Sequence, residues 1–188
     1  MKIHLASGSP RRAKILSAAG VEFDVLKTDA PEVSFPDDPA RTVTVNALAK
    51  GRAAAALPEG TKGILSADTI VWYSGRIYGK PRDLEEAKKF LRELSGRVHT
   101  VYTAVALDGA AEVETSDVEF RELSDEEIDS YVAEVRPTDR AGAYDIDESG
   151  FRLVARFTGE YENIMGLPLA PLRRRGVLAA EYDIIPGK

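Results

Sequence analysis

Residues 2–20 read KIHLASGSPRRAKILSAAG, and this stretch points to the class of fold. Residues 2–6 are typical of a short strand. Ser9 followed by Pro10 supplies an N-cap and a first-turn proline, so a helix is predicted to begin there and to end near Gly20. A strand that leads through a short loop into a helix is a unit of α/β proteins, and the rest of the chain continues this alternation.

The remaining segments alternate between helical and strand patterns, with no repeat or long linker. An Asp108-Gly109 turn between two β-branched and aromatic runs predicts the longest hairpin, and Ser124 with Glu127 predicts a capped helix. The patterns predict helices over 38–58, 84–95, 124–135 and 169–175, and strands over 64–73, 76–79, 98–107, 112–121, 151–157 and 182–185. We therefore expect one α/β domain over residues 1–188, with a mixed twisted sheet flanked by helices and a cleft between a main lobe and a smaller one.

Composition excludes several classes of function. The chain carries 25 Lys and Arg against 31 Asp and Glu, a formal net charge of −6, so it lacks the positive field that holds a nucleic-acid backbone. It has no cysteine, which excludes disulfides, thiolate metal sites and cysteine nucleophiles. Its two histidines, His4 and His99, are expected to be structural. No signal-peptide pattern and no apolar stretch near the roughly 20 residues of a membrane span are seen, so we expect a cytoplasmic protein with no nucleic-acid or membrane partner.

An anion site is predicted between the first strand and the first helix, where residues 7–12 read SGSPRR. The first N–H groups of a helix have no intrahelical partner and carry partial positive charge. A phosphate there can be bound by backbone, hydroxyl and guanidinium groups together. The stretch is not a P-loop, because GxxxxGK[ST] is missing. The alternative is that Ser9 only caps the helix and the arginines are solvated.

A second group of charges surrounds the strand that contains SADT. Asp68 lies in that segment, and Lys80 returns beside it after the predicted turn, in the GKP segment. A carboxylate there can ligate Mg²⁺ or orient a water molecule, while a lysine neutralises a phosphate. Glu32, which precedes the second predicted helix, and Lys50, in the middle of that helix, add to this group if the fold brings them together. The alternative is a plain salt bridge between Asp68 and Lys80, with Glu32 and Lys50 as ordinary surface charges.

Two irregular segments, AGAYDID at 141–147 and GEYENIMGLP at 159–168, combine glycines with aromatic residues. Such segments can form a pocket wall where the backbone approaches a planar ligand closely. Loop packing explains the same composition equally well.

Taken in order, LASGSPRR, SADT, GKP, LSGRVHTVYTAV, AGAYDI and NIMGLPL resemble the Maf family of nucleotide pyrophosphatases, and the resemblance covers nearly the whole chain. It implies a mixed α/β fold like that of inosine triphosphate pyrophosphatases, a cleft between two lobes, and frequent homodimers. It also implies hydrolysis of a nucleoside triphosphate to the monophosphate and pyrophosphate with Mg²⁺ or Mn²⁺.

The resemblance implies roles for individual residues. Asp68 matches the family's catalytic acid, described as the proton acceptor, and Thr69 and Arg12 match positions linked to base choice. We expect Glu32 and Asp68 to hold the metal ion. The phosphate-side residues of the family match Ser7, Arg11, Lys50 and Lys80.

One segment departs from the branch that acts on dTTP and UTP, which the SPRR and ADT forms resemble. In that branch AGAY usually continues as GIQG, with the glutamine tied to specificity, whereas here residues 145–148 read DIDE. Asp147 is the counterpart of that glutamine, and a carboxylate accepts hydrogen bonds but cannot donate one to a pyrimidine carbonyl. Either Asp147 reads a base that presents N–H donors, or the stretch is a solvated acidic turn.

We expect a cytoplasmic, metal-dependent nucleoside triphosphate pyrophosphatase that clears dTTP, UTP or modified nucleotides, with Asp68 activating the attacking water. Two alternatives come from other classes. One is a non-enzymatic regulator of septum formation, the role that gave the family its name, and the other is a nucleotide sensor that binds its ligand without cleaving it. Turnover by the purified protein, lost in Asp68→Asn, separates the enzyme from both.

Overall fold

A computed structural model of the chain describes residues 2–54, 58, 60–147 and 149–179. The strands in this part of the chain are β1 (Ile3–Ala6), β2 (Phe23–Leu26), β3 (Ile64–Tyr73), β4 (Arg76–Tyr78), β5 (Val98–Leu107), β6 (Ala110–Phe120) and β7 (Val154–Thr158). The α-helices are α1 (Pro10–Ala18), α2 (Pro39–Arg52), α3 (Leu84–Leu94), α4 (Asp125–Val135), α5 (Tyr161–Ile164) and α6 (Ala170–Arg174). Short 3₁₀ helices lie at Ala141–Ala143 and Gly150–Leu153.

These strands form one mixed sheet in the order β2-β1-β3-β5-β6-β7, with β4 beside the end of β3. Strand β1 runs parallel to β2 and β3, and the other pairs are antiparallel. The longest ladder pairs residues 98–107 with 110–119. Asp108 and Gly109 join its strands with φ values of 50° and 82°, as a two-residue hairpin turn requires. The expected α/β fold, a mixed sheet flanked by helices, is confirmed.

The edge of β3 that faces β1 and β4 is only partly paired. Strand β1 pairs with β3 at Ile64 and Leu65, and β4 pairs with it at residues 71–73. Residues 66–70 lie between these two ladders and therefore border an opening at this edge of β3. Asp68 lies in the middle of that stretch, so the topology brings it to the opening.

Strand β3 distributes its side chains between two apolar clusters, because successive residues of a strand point to opposite faces. Leu65, Ala67 and Val71 belong to the larger cluster, which includes buried residues of α1, α3 and α4. Ile70 belongs to the smaller cluster, with buried residues of α2. Asp68 has the same parity as Ile70, and it therefore faces α2.

Two predicted helix starts differ in how they are capped. Ser124 and Glu127 form the reciprocal capping box at the start of α4, as predicted. Ser9 occupies the N-cap position of α1 and Pro10 follows it, but the Ser9 side chain makes no capping hydrogen bond. The prediction of a serine side-chain cap at α1 is therefore wrong, and Ser9 instead lines the cavity described below.

Two predicted boundaries are also wrong. Helix α2 ends at Arg52 and not near Pro58, so Lys50 lies in its last turn instead of its middle. The alanines that follow favour a helix by propensity, but Ala53 and Ala54 are already outside it, and residues 55–57 lie outside the described part of the chain. Strand β7 begins at Val154 and not at residue 151, because residues 150–153 form a 3₁₀ turn. In this turn Gly150 packs against the Asp145 carbonyl oxygen so closely that a Cβ atom on residue 150 would lie 1.8 Å from that oxygen.

The predicted strand at 182–185 lies outside the described residues. Within the part of the chain that is described, no helix has both the length and the apolar character needed to cross a membrane.

Candidate active site

A cavity of about 420 Å³ opens at the unpaired stretch of β3. One wall comes from the loop between β1 and α1, a second from α2 and the loop before it, and a third from the 139–145 and 164–166 segments. Eight of the nine predicted site residues line it: Ser7, Arg11, Arg12, Glu32, Lys50, Asp68, Thr69 and Lys80. The fold therefore brings together residues that are up to 73 positions apart in the sequence, from Ser7 to Lys80.

Asp68 is the buried carboxylate of the cavity, with 5 % of the residue exposed. Its Oδ1 accepts a hydrogen bond from Lys50 Nζ at 2.5 Å, and its Oδ2 accepts one from Asn46 Nδ2 at 3.2 Å. Asn46 and Lys50 are one helical turn apart on α2, so both side chains reach the same point of β3. The predicted salt bridge to Lys80 is not formed, because α2 covers the face to which Asp68 points.

Asn46 connects Asp68 to the loop that carries Glu32. Its amide accepts from the Val33 N–H at 2.9 Å and donates to the Val33 carbonyl at 3.0 Å, in addition to its contact with Asp68. Asn46 is buried, with 3 % of the residue exposed. Asn46 therefore fixes the distance between two acidic residues that are far apart in sequence.

Glu32 and Asp68 meet at one ammonium group. Lys50 Nζ lies 2.7 Å from Glu32 Oε1, and Lys80 Nζ lies 4.0 Å from the same oxygen. Partial burial would raise the pKa of Glu32, but the hydrogen bond and charge of Lys50, helped by Lys80 and Arg12, outweigh it and hold that pKa below its usual value. Glu32 is thus an anion at neutral pH, and none of Glu32, Lys50 and Asp68 is an ordinary surface charge.

Arg12 is held in a fixed orientation by three acceptors. Nε donates to the Gly166 carbonyl at 2.7 Å, Nη1 to Ser7 Oγ at 3.0 Å, and Nη2 to Thr69 Oγ1 at 3.2 Å. Burial lowers the pKa of its guanidinium, an effect that the nearby Asp68 carboxylate opposes. The alternative of a solvated arginine is excluded at this position.

Thr69 continues this network into the core. Its hydroxyl lies 3.0 Å from that of Thr103, which donates to the Asn163 carbonyl at 3.0 Å. Because the Thr103 proton is used there, Thr69 donates to Thr103 and accepts from Arg12. Gly166 has a φ of 100°, and a Cβ there would lie 3.3 Å from Thr69 Oγ1, so the NIMG turn needs glycine to pack against this pair.

Arg11 lines the cavity while Asp139 holds its guanidinium. Its guanidinium donates to Asp139 Oδ2 at 2.9 Å and to the Asp139 carbonyl at 3.1 Å. It therefore joins the start of α1 to the opposite wall of the cavity.

That opposite wall contains the predicted AGAYDID segment. The Tyr144 hydroxyl is hydrogen-bonded to His99 Nε2 at 2.7 Å. Burial lowers the pKa of His99 to about 3, so this histidine is neutral at pH 7 and has a structural role, as predicted. Asp145 lies 2.8 Å from Arg140 Nε, and burial raises the pKa of its carboxyl despite that charge. Both Tyr144 and Asp145 line the cavity, so this segment does form a pocket wall.

Asp147 is the predicted site residue that does not line the cavity. Its carboxylate lies 3.7 Å from Lys14 Nζ on α1 and is 31 % exposed. Its role in reading the base stays a prediction, and the geometry brings Asp145 nearer to the other site residues.

The family model described as Maf-like protein matches residues 2–175 of the chain. The chain belongs to the Maf family. It is 44 % identical over 178 residues to a dTTP/UTP pyrophosphatase of Bacillus cytotoxicus, an alignment that covers 92 % of this chain and 93 % of that protein. Proteins of the same name from Bacillus cereus and Bacillus anthracis are each 42 % identical, over 97 % and 92 % of this chain and 96 % and 93 % of their own lengths.

The motifs that resemble the Maf family all contribute to one place in the structure. The SGSPRR, SADT, GKP, AGAY and NIMG segments each supply residues to the cavity wall. Sequence reasoning missed Asn46 and Thr103. The four-residue spacing of Asn46 and Lys50 on a predicted helix is the one signal that could have revealed Asn46, whereas Thr103 shows no signal in its apolar strand.

Glu32 and Asp68 of this Maf protein could supply two ligands to a divalent cation whose other ligands come from water and the phosphates of a substrate. Within the described ranges, no group of three or more His, Cys, Asp or Glu side chains converges. Glu32 and Asp68 converge as a pair, since each lies within 2.7 Å of Lys50 Nζ. Mg²⁺ commonly takes one or two carboxylates and completes its coordination with water and substrate phosphates.

Proposed function

We propose that this member of the Maf family hydrolyses dTTP and UTP to the nucleoside monophosphate and pyrophosphate. The names of its relatives support this choice of substrate. The observation that carries the proposal is the buried carboxylate of Asp68, fixed by Asn46 and Lys50 in a cavity that Arg11, Arg12 and Lys80 also line.

The cavity suits a triphosphate. Arg12 has five N–H donors and uses three on the protein, which leaves two for an anion. The start of α1 adds partial positive charge, and Lys80 adds a flexible ammonium that is 61 % exposed in its side chain. With Ser7, Arg11 and Lys50, these groups balance charge that develops on a departing pyrophosphate.

Asp68 activates water in the proposed reaction. The water oxygen forms a bond to the α-phosphorus, its proton passes to the Asp68 carboxylate, and the bond from the α-phosphorus to the bridging oxygen of the β-phosphate breaks. Pyrophosphate leaves with that oxygen. Because Asn46 holds one oxygen of the Asp68 carboxylate, the base keeps its orientation and needs little reorganisation at the moment of reaction.

Glu32 and Asp68 would hold the divalent cation, Mg²⁺ or Mn²⁺. When bound, such an ion polarises phosphoryl oxygens and offsets their charge. Thr69 and Arg12, which share a hydrogen bond, are proposed to act in base choice. A cytoplasmic location and a homodimer are part of the same proposal and follow from the family resemblance alone.

The proposal is tested by measuring kcat/KM of the purified protein on UTP, dTTP, CTP, GTP and ATP with Mg²⁺. We expect UTP and dTTP to exceed the others by at least about tenfold, a difference of about 1.4 kcal/mol in transition-state binding. Tight binding of UTP with no pyrophosphate released would instead identify a nucleotide sensor.

A further inference from the structure

The Lys50 ammonium lies between the carboxylates of Glu32 and Asp68. A divalent metal ion would favour the same two carboxylates. Its Nζ lies 2.5 Å from Asp68 Oδ1 and 2.7 Å from Glu32 Oε1. The Lys50 side chain is 15 % exposed and that of Asp68 is 7 % exposed, so water screens this contact weakly.

Asp68 has one carboxylate oxygen, its Oδ1, that Lys50 alone of the described residues occupies. Asp68 Oδ2 is held by Asn46, whose amide is itself fixed by both backbone groups of Val33. Asp68 Oδ1 and Glu32 Oε1 are the two oxygens that contact the Lys50 ammonium. A divalent ion held by these two carboxylates would compete with the Lys50 ammonium for the same oxygens.

We propose that Lys50 is a resident cation that a divalent metal ion must displace in order to bind Glu32 and Asp68. This inference rests on the proposed function, since it concerns the metal-dependent step of that reaction. The ammonium sits on a flexible four-carbon stem at the end of α2, so it can turn towards a phosphate in the same cavity.

Displacement couples the metal ion to the triphosphate. A metal ion that arrives alone leaves the Lys50 charge without a carboxylate partner, which is unfavourable in a buried site. A metal ion that arrives with a triphosphate also brings anionic oxygens for Lys50. The protein should therefore bind free metal ions weakly and metal–triphosphate complexes well, by ordinary binding linkage.

The test measures Mn²⁺ binding by electron paramagnetic resonance in the absence of nucleotide. Lys50→Met and Lys50→Gln remove the competing charge and should each increase Mn²⁺ affinity by about tenfold or more, given the strength of unit charges a few ångströms apart. Lys50→Arg keeps the charge and should retain weak binding. Turnover should fall in the two neutral variants, so affinity and activity change in opposite directions.

Lys88→Met is the matched control. Lys88 Nζ also bridges two carboxylates, Asp129 at 2.9 Å and Glu85 at 3.4 Å, but these lie on α3 and α4, outside the cavity. Mn²⁺ affinity should be unchanged in this variant.

Unchanged or weaker Mn²⁺ binding in folded Lys50→Met and Lys50→Gln would overturn the inference. Failure of both variants to fold would also overturn it, because Lys50 would then be an ion that the structure requires in place. The outcomes also separate the two proposals. Pyrophosphate release by the wild type with unchanged metal affinity in the variants refutes displacement alone. Tighter Mn²⁺ binding in the variants of a protein that hydrolyses no triphosphate refutes the proposed function alone.

Discussion

Replacing Asp68 by Asn tests the proposed general base with little change of shape. The amide keeps an oxygen that can accept from Lys50 Nζ, but it loses the negative charge and the capacity to take a proton from water. We expect kcat to fall by about 10² or more, the range of general acid–base catalysis, which corresponds to about 2.7 kcal/mol. The assay is pyrophosphate release from UTP and dTTP at saturating substrate.

The stability of Asp68→Asn should fall moderately, and the protein should stay folded. Lys50 keeps its contact with Glu32 at 2.7 Å, so the substitution does not leave a buried charge alone. The new NH2 group, however, faces Asn46 Nδ2, which is also a donor and is fixed by Val33, so this hydrogen bond is lost. The loss amounts to about 1–3 kcal/mol, or roughly 2–12 °C in Tm for a chain of this size. Thermal unfolding of the variant checks this.

Asp145→Asn is the matched control for that experiment. Asp145 lines the same cavity, is 6 % exposed against 5 % for Asp68, and is also paired with a cation, Arg140. Its kcat should stay within about threefold of wild type, a change of under 1 kcal/mol. If Asp68→Asn keeps more than about a third of kcat, or if Asp145→Asn loses as much, Asp68 is a structural ion-pair partner and the reasoning is refuted.

Three further predictions concern charge, specificity and pH. Lys80→Ala and Arg12→Ala should each lower kcat/KM by about ten- to hundredfold, since a charge-assisted contact contributes roughly 1.5–3 kcal/mol, and Lys80→Arg should not fully restore it; full restoration would mean that general positive potential is sufficient. Asp147→Gln should shift relative kcat/KM towards UTP and dTTP over CTP and GTP by about five- to thirtyfold, and a uniform change across all four would show that residue 147 does not read the base. Burial lowers the pKa of His99 to about 3, whereas a histidine in an unfolded chain has a pKa of roughly 6.5. Between these two pH values the unfolded state therefore carries one more proton, on His99, than the folded state. The free energy of unfolding should therefore decrease by up to about 1.4 kcal/mol per pH unit between about pH 6 and 4, and His99→Gln should flatten that slope in urea titrations; an identical slope in both proteins would contradict the assignment.

Local signals predicted much of the fold. The Asp108-Gly109 turn and the Ser124–Glu127 capping box act within a few residues, and the structure realises both. The errors at the end of α2 and the start of β7 have a common cause. Propensity and alternation do not specify where tertiary packing ends an element, and Gly150 packs against a carbonyl five residues earlier in the chain.

The sequence predicted which residues line the candidate site but not which of them form ion pairs with each other. Asp68, Lys50, Glu32 and Lys80 could be named from the sequence, yet Asp68 pairs with Lys50 and not with Lys80. That choice depends on which helix covers the even-numbered face of β3, a long-range property that no local pattern encodes. The opening at residues 66–70, between the ladders to β1 and β4, is equally non-local.

The central claim is that water activated by Asp68 attacks the α-phosphorus of a nucleoside triphosphate. Hydrolysis of UTP in water enriched in oxygen-18, with the products resolved by phosphorus NMR and mass spectrometry, tests it most directly. The products should be UMP and pyrophosphate, with the label in UMP. Label in pyrophosphate, or stepwise release of labelled orthophosphate, would contradict it.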